Sequence, residues 1–323
     1  MRQSLRTLAL IATSIACLVA SIAYAAEYPV RPIRIVVPYP PGGGADNVSR
    51  VIAQKLAQAF AQQVVIDNRP GASGIIGAEA VAKSPADGYT LLHDATAHSV
   101  NPALRKLPYD TLKDFAPITL IVVNPNLLVV HPSLPVKTIQ DLIKLAKARP
   151  AQITYASSGI GSAQHMAGEL FKSMAKVDMV HVPYKGGGAV YSDLMGGHVQ
   201  AFFSNIASGL VHVKSGKLKG IAVTSTRRSP SAPEFPTIAE SGLPGYAVYE
   251  WNGLFAPAGT PKDIIARLNA EVMKIINSPE VKERFFALGA EASPGTPEQL
   301  GDYVRGEIAK WRNVVREMGI KAD

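Results

Sequence analysis

A strand, a glycine-rich turn and an amphipathic helix follow one another in IRIVVPYPPGGGADNVSRVIAQKLAQAF, residues 33–60. β-Branched apolar residues fill the first part, and a helical pattern opens after three glycines with Asp46 in the position of an N-cap. Free backbone amides at such a helix start bind anions, because the amides and the helix dipole both favour negative charge. The segment therefore favours a fold in which each strand is followed by a helix, with an anion-binding turn between them. A tight turn with an Asp cap and no ligand is the alternative.

The same alternation of short apolar strands and amphipathic helices continues along the chain. The predicted strands are residues 33–37, 64–67, 90–93, 126–130, 153–156, 179–182, 199–203 and 219–223. The predicted helices are residues 46–60, 139–148, 163–174, 189–195, 263–276 and 298–318. This pattern predicts an α/β protein of the doubly wound kind, in which the last two helices provide packing faces and Trp311 belongs to the core.

Two features divide the chain into two lobes. VPYPPGGGA at residues 37–45 is echoed by VPYKGGGAV at residues 182–190, so each lobe carries a similar glycine turn. Two extended, proline-containing segments, residues 118–132 and 241–261, provide the two chain crossings that a two-strand hinge requires. We therefore expect one lobe from residues 26–124 and 250–323, and the other from residues 125–249.

The amino terminus has the pattern of a secretory signal peptide. Arg2 and Arg6 precede an apolar run from residue 8 to residue 22, and Ala23-Tyr24-Ala25 forms an A-x-A cleavage site. We expect cleavage after Ala25 and export to the periplasm of a double-membraned bacterium. An uncleaved membrane anchor is the alternative, although the apolar run is short for a membrane span.

Charge and cysteine content narrow the class of protein further. Cleavage would lower the net charge from +8 to +6 and remove the only cysteine, so a large core must hold the exported chain without disulfides. The basic residues are scattered and lack an aromatic-basic stripe or zinc-finger spacing, which argues against a nucleic-acid partner. The mild positive charge favours anionic solutes.

The motifs exclude several kinds of site. Gly42-Gly43-Gly44 is followed by neither the Lys-Ser/Thr of a P-loop nor a dinucleotide-binding pattern, so no cofactor is indicated. A second candidate loop, TYASSGIGSAQHMAGELF at residues 154–171, offers serine hydroxyls and glycines before a helix, but it is not a nucleophile elbow. His165 in this helix has the alternative of a capping or packing role. The histidines lack metal-ligand spacing, and no catalytic triad or carboxylate pair stands out.

Seven segments together resemble one family over nearly the whole mature chain. They are YPVRPIRIVVPYPPGGGADNVSR, VVIDNRPGASGIIGAEAVAKSPADGYTLL, LPYDTLKDFAPITLI, YASSGIGSAQHMAGELFK, HVPYKGGG, FPTIAESGLPGY and WNGLFAPAGTP. The chain resembles the Bug family, the extracytoplasmic solute-binding receptors of tripartite tricarboxylate transporters. The resemblance implies a two-lobed periplasmic binding protein of type II that captures a small organic acid and delivers it to membrane permease subunits. We expect a monomer without catalytic residues or a cofactor.

The resemblance also implies which residues bind the acid, mainly through backbone amides and hydroxyls of two glycine loops. The implied ligand-binding residues are Tyr39, Pro41, Gly42, Gly43, Asp46, Thr96, His98, Ser157, Ser158, Gly159, Gly161, Ser162, His165, Ser204, Asn205 and Trp251. Family members often carry an aspartate where this chain has Ser204. The absence of that aspartate favours a plain mono- or dicarboxylate over an amino acid. The alternatives are an enzyme acting on small acids and a ligand-sensing partner of a membrane kinase.

Overall fold

The strands and helices alternate as the sequence predicts. The computed structural model describes residues 28–320, so the predicted signal peptide and its cleavage site lie outside the described residues. The strands are β1 (Ile33–Val37), β2 (Val64–Asn68), β3 (Thr90–Ala95), β4 (Phe115–Val130), β5 (Thr154–Ser157), β6 (Val180–Pro183), β7 (Ala201–Asn205), β8 (Lys219–Val223), β9 (Tyr249–Pro257) and β10 (Glu291–Ala292).

The helices surround these strands. They are α1 (Gly44–Phe60), α2 (Ile75–Ala82), α3 (Ala97–Leu104), α4 (Ile139–Ala148), α5 (Ala163–Ala175), α6 (Gly187–Met195), α7 (Ile206–Lys214), α8 (Lys262–Asn277), α9 (Pro279–Ala287) and α10 (Pro297–Met318), with a short 3-10 turn at Ala72–Gly74. The predicted α/β class is confirmed. Most predicted bounds lie within two residues of the observed ones, whereas the strand predicted at residues 126–130 is only the end of the longer β4.

The strands form two half-sheets joined through β4. In the first half-sheet β2, β1 and β3 are parallel, and β9 runs antiparallel between β3 and β4. In the second half-sheet β6, β5 and β7 are parallel, and β7 and β8 pair antiparallel with β4. Ligands of such sheets bind beyond the carboxyl ends of the parallel strands. Both glycine loops follow such ends, one after β1 and one after β5.

The two long antiparallel strands β4 and β9 are the segments in which the sequence predicts chain crossings. They pair from Phe115 and Pro257 to Pro125 and Tyr249, and beyond that point β4 pairs with β7 instead. The two-strand connection between the half-sheets is therefore confirmed. The residue bounds of the two lobes stay a prediction.

Separate apolar cores support the two half-sheets, and α10 reaches both. Leu300 of α10 lies in a cluster with Trp251 and Phe255 of the first half-sheet. Further along the same helix, Trp311 lies fully buried in a cluster with Phe171 of α5, which packs on the second half-sheet. The predicted core position of Trp311 is confirmed. No helix within residues 28–320 combines the length and the apolar character needed to cross a membrane.

Gly168 allows α5 to approach the ring of Tyr155 on β5. A Cβ placed on Gly168 would overlap that buried ring. We expect Gly168→Ala to lower the free energy of unfolding by about 1–3 kcal/mol through overpacking, although alanine is the better helix former. Urea denaturation would measure the change.

Gly306 provides the matched control, because it lies in α10 with open space around its Cα. Gly306→Ala should raise the free energy of unfolding by up to about 1 kcal/mol. Equal effects of the two alanines would contradict the assignment of Gly168 as a packing glycine.

Candidate functional site

The two predicted glycine loops come together between the half-sheets. A Cβ on Gly44, the first residue of α1, would lie 3.6 Å from Oε1 of Glu250. Oε2 of Glu250 accepts a hydrogen bond from Nε2 of Gln164 at 3.2 Å, and Oε1 of Gln164 accepts one from Ser158 at 2.7 Å. The carbonyl of Ser158 in turn accepts from the amide of Gly186, before α6, at 3.1 Å. These contacts place the starts of α1, α5 and α6 around one cleft.

Asp46 does not cap α1, contrary to the sequence prediction. The helix begins two residues earlier, with Gly43 as N-cap and no side-chain cap. The Asp46 side chain is 1% exposed and turns back into the protein. Its Oδ2 accepts from the Gly42 amide at 2.9 Å and from Nε of Arg50 at 2.8 Å, and its Oδ1 accepts from Asn68 at 2.9 Å. Tertiary partners from β2 and α1 thus replace the local cap.

This bonding sets the charge of Asp46 and the shape of the loop. Burial favours the neutral acid, but the hydrogen bonds from Arg50, the Gly42 amide and Asn68 outweigh it, so the pKa of the Asp46 carboxyl lies below its usual value. Gly42 has a positive φ of 80°, which the turn requires. Pro41 and Gly43 are exposed beside it. The first amides of α1, which have no acceptor within the helix, are left facing the cleft.

Tyr39, also predicted for the site, anchors the same loop from its other side. Its hydroxyl donates to Oδ1 of Asp94 at 2.7 Å, and its carbonyl accepts from Asn68 at 3.1 Å. Oδ2 of Asp94 lies 2.9 Å from Nδ1 of His98. A continuous network therefore runs from the His98 ring through Asp94 and Tyr39 to the residues that hold Asp46.

Thr96, His98 and Trp251 lie behind the loops, in the interior. The His98 ring is buried against Phe255, and Trp251 is fully buried. Oγ1 of Thr96 accepts from the backbone amide of Trp251 at 3.1 Å. These three residues contact one another, and His98 is linked to the exposed glycine turn only indirectly, through Asp94 and Tyr39. Their role as ligand contacts stays a prediction.

The second predicted loop is held by its own serines. Ser162 is the N-cap of α5, and its hydroxyl accepts from the His165 amide at 3.2 Å. Oγ of Ser157 lies 2.6 Å from Nε2 of His181 and accepts from the Gly159 amide at 3.1 Å. Ser158, in contrast, faces Gln164 at the cleft. Hydrogen bonds of Ser157 and Ser162 thus hold the inner part of the loop, while Ser158 gives the loop a polar surface at the cleft.

His165 and His181 form a stacked, neutral pair below this loop. Their ring centroids are 4.1 Å apart. The Gly161 amide donates to Nδ1 of His165 at 3.1 Å, which places the proton of the neutral ring on Nε2. Burial lowers the pKa of His165 to about 4 and that of His181 to about 3. The alternative of a capping or packing role for His165 therefore agrees with its geometry.

Gly161 and its neighbour Ile160 connect the loop to the first half-sheet. A Cβ on Gly161 would face Leu104 and Asn101 of α3 and not the open cleft. The Ile160 carbonyl accepts from the Ser73 hydroxyl at 2.7 Å, and Asn101 donates to the Ser73 carbonyl at 3.0 Å. The Ser73–Ile160 bond joins the two halves of the molecule beside the cleft, and Asn101 holds Ser73 in place from within the first half.

Ser204 and Asn205 end β7 at the same edge. Ser204 is fully buried, donates to the Asn205 carbonyl at 2.8 Å and shares a hydrogen bond with the Tyr191 hydroxyl. The Asn205 side chain caps α7 by accepting from the Ser208 amide at 3.4 Å. Both residues therefore shape the wall of the cleft through their neighbours.

Sequence reasoning missed several polar groups at the cleft. Gln164, Glu250 and Asn126 did not stand out, because an isolated amide or carboxylate in a strand or helix has no motif. The second glycine turn, residues 186–188, could have been placed here from its echo of the first, because both follow Pro-Tyr after a strand. The site therefore draws on both crossings as well as on both loops.

The arrangement can bind an anion through backbone amides and hydroxyls. No group of three or more His, Cys, Asp or Glu side chains within residues 28–320 is placed to hold a metal ion. Two cavities are lined by other residues. One, of about 410 Å³, is lined by Arg105, Thr111 and Arg312, and another, of about 370 Å³, lies beside Arg227 and Tyr249.

Comparison with known proteins places the chain among solute receptors. The family model described as "Tripartite tricarboxylate transporter family receptor" matches residues 48–320. Protein BugT of Bordetella pertussis is 39% identical over 297 residues, which cover 91% of this chain and 91% of BugT.

Two solved structures with bound acids are also similar. R. palustris Rpa4515 with adipate has a TM-score of 0.86 and 39% identity, covering 91% of this chain and 99% of that one. MatC (Rpa3494) from Rhodopseudomonas palustris with bound malate has a TM-score of 0.82 and 33% identity, covering 89% of this chain and 100% of that one.

The buried position of Asp46 predicts a larger stability effect than a helix cap would give. Asp46→Ala leaves the Gly42 amide without its acceptor and removes one of the two acceptors of the Asn68 amide, and we expect it to lower the free energy of unfolding by about 2–3 kcal/mol. Because the folded pKa of Asp46 is depressed, this contribution is present above the unfolded value of about 3.9 and is lost as the pH falls below it. Urea denaturation at pH 7 and at pH 3 measures both effects.

Asp263 is the matched control, since it is an exposed aspartate in the first turn of α8. Asp263→Ala should lower the free energy of unfolding by about 0.5 kcal/mol. Losses of the same size for both variants would show that Asp46 acts only on the helix dipole.

Proposed function

Because the chain belongs to the tripartite tricarboxylate transporter receptor family, we propose that it captures a small organic acid in its cleft and delivers the acid to the membrane permease of such a transporter. The site lies between two half-sheets joined by the two strands β4 and β9. The observation that carries the proposal is the convergence of the starts of α1, α5 and α6 on one cleft through Glu250, Gln164 and Ser158.

The ligand class follows from the donors at this cleft. Amides at helix starts and serine hydroxyls match the acceptor oxygens of a carboxylate. Adipate and malate, held by Rpa4515 and MatC, are both dicarboxylates. Ser204 provides no charged partner for an amino group. We therefore propose a mono- or dicarboxylate without an amine.

The rest of the proposed role is that of an exported receptor. The protein works in the periplasm, as a monomer, and closes two lobes over the acid, with residues 26–124 and 250–323 in one lobe and residues 125–249 in the other. It performs no chemistry on the acid. An enzyme acting on small acids would instead turn the acid over, and a sensing partner of a membrane kinase would be recovered with that kinase rather than with a permease.

Binding of organic acids tests the proposal directly. Thermal melting with succinate, malate, adipate and benzoate should reveal at least one acid that stabilises the mature protein. At about 100 times Kd the stabilisation should reach roughly 2.7 kcal/mol. Chromatography after overnight incubation should recover the stabilising acid unchanged.

Appearance of a product would favour the enzyme alternative. Absence of a melting shift with all four acids would contradict the proposed function.

Close approach of the acid to α1 can be tested at Gly44. An alanine methyl fits there, since the Cβ position lies 3.6 Å from its nearest neighbour, Oε1 of Glu250. Gly44→Ala should preserve stability but weaken binding of the stabilising acid at least tenfold in calorimetry, because the methyl stands in front of the helix start.

Gly306→Ala, in the exposed part of α10, is the control and should bind as the unmodified protein does. Unchanged affinity of Gly44→Ala would show that the acid does not approach α1.

A further inference from the structure

Glu250 is the carboxylate at the centre of the contacts that define the cleft. It lies on β9, opposite Asn124 of β4 in the hinge pair. Its Oε2 accepts the hydrogen bond from Gln164, while its Oε1 faces the first residue of α1, Gly44. Within residues 28–320, no lysine or arginine forms an ion pair with it. An ionised carboxylate at this helix start would compete with a ligand anion for the amides of α1, so the protonation state of Glu250 decides whether an anion can bind there.

Asn126, beside Glu250, supplies a second observation. It is fully buried on β4, and both polar atoms of its side-chain amide lack a hydrogen-bond partner in the described structure. The amide approaches the Glu250 carboxyl without reaching hydrogen-bond geometry. Buried amides without partners are rare, because each unmet hydrogen bond is unfavourable. An unmet amide at a binding cleft points to a ligand that completes its bonding.

We propose that Glu250 binds a carboxylate oxygen of the organic acid in its neutral form, by donating a hydrogen bond from Oε1, while the Asn126 amide completes the same recognition point. This assignment rests on the proposed function and adds the protonated side chain of Glu250 to the proposed binding site. Since Oε2 already accepts from Gln164, the proton belongs on Oε1, which faces the start of α1. Binding of an acid anion is then coupled to proton uptake.

The electrostatic surroundings agree with a neutral Glu250. Burial raises the pKa of its carboxyl above the usual value and outweighs the hydrogen bonding of Asn126 and Gln164, which lowers that pKa; an anion bound beside the carboxyl raises it further. Other groups at the cleft ends of the neighbouring helices do not titrate between pH 6 and 8. Asp46, paired with Arg50, has a lowered pKa, His165 has a pKa of about 4, and burial raises the pKa of Tyr191. Among these groups, Glu250 is therefore the one to which we assign proton uptake in this range.

The sign of the pH dependence follows from this coupling. The bound state carries a proton on Glu250, whereas the free state loses it as the pH rises. Affinity for the acid anion should therefore fall as the pH rises above the pKa of Glu250 in the free protein, with tenfold per pH unit as the limit for one proton. An ionised Glu250 that accepts a hydrogen bond from a ligand hydroxyl or amine would give no such fall.

Calorimetry on the unmodified mature protein provides the first test. Succinate, malate, adipate and benzoate are titrated at pH 7 in Pipes and in imidazole, whose ionisation enthalpies differ. Each acid that binds should take up between half and one proton. Binding without proton uptake overturns the role of Glu250 and leaves the proposed function standing, whereas absence of binding by all four acids overturns both.

Substitutions then test whether Glu250 is the residue that takes up the proton. Glu250→Gln keeps a donor at the same place and should bind within about threefold of the unmodified protein at pH 6, without the fall toward pH 8 and without proton uptake. Glu283→Gln, which removes an exposed carboxylate from α9, should keep both the fall in affinity toward pH 8 and the proton uptake. Asn126→Ala should weaken binding at least tenfold at every pH while the slope persists. An unchanged slope in a folded Glu250→Gln overturns the proposal.

Discussion

The buried carboxylate of Asp46 is the interaction on which the cleft depends. By accepting from Gly42, Asn68 and Arg50 together, it ties the turn after β1 to strand β2 and to the body of α1. A side chain at this position could have capped the helix, in which case it would have satisfied the very amides that a ligand needs. Because it turns inward instead, the start of α1 is rigid and still open to an anion.

The hinge strands do more than connect the two halves of the molecule. β4 carries Asn126 and β9 carries Glu250, so groups that face the cleft sit on the segments about which the halves would move. Gln164 reaches Glu250 from the second half-sheet, and Ser73 reaches Ile160 from the first. The carboxylate that we propose as part of the binding site therefore lies on one of the two strands that pair along the junction of the halves.

The sequence allowed the elements to be predicted better than the contacts between them. β1, α4 and β8 have the predicted bounds, because periodicity and turn residues are local signals. Asp46 was assigned wrongly as a cap because its partner Asn68, from β2, lies twenty-two residues further along the chain. Glu250 was missed for the same reason, since its importance comes from Gly44 and Gln164, which only the fold brings near.

The carboxyl-terminal helix α10 has a thermodynamic consequence for the whole molecule. Its Leu300 end belongs to the core of the first half-sheet and its Trp311 end to that of the second, so neither core is complete without the same helix. Detachment of α10 would expose apolar surface in both halves at once. Unfolding is then expected to be a single cooperative transition, in which the two halves lose structure together.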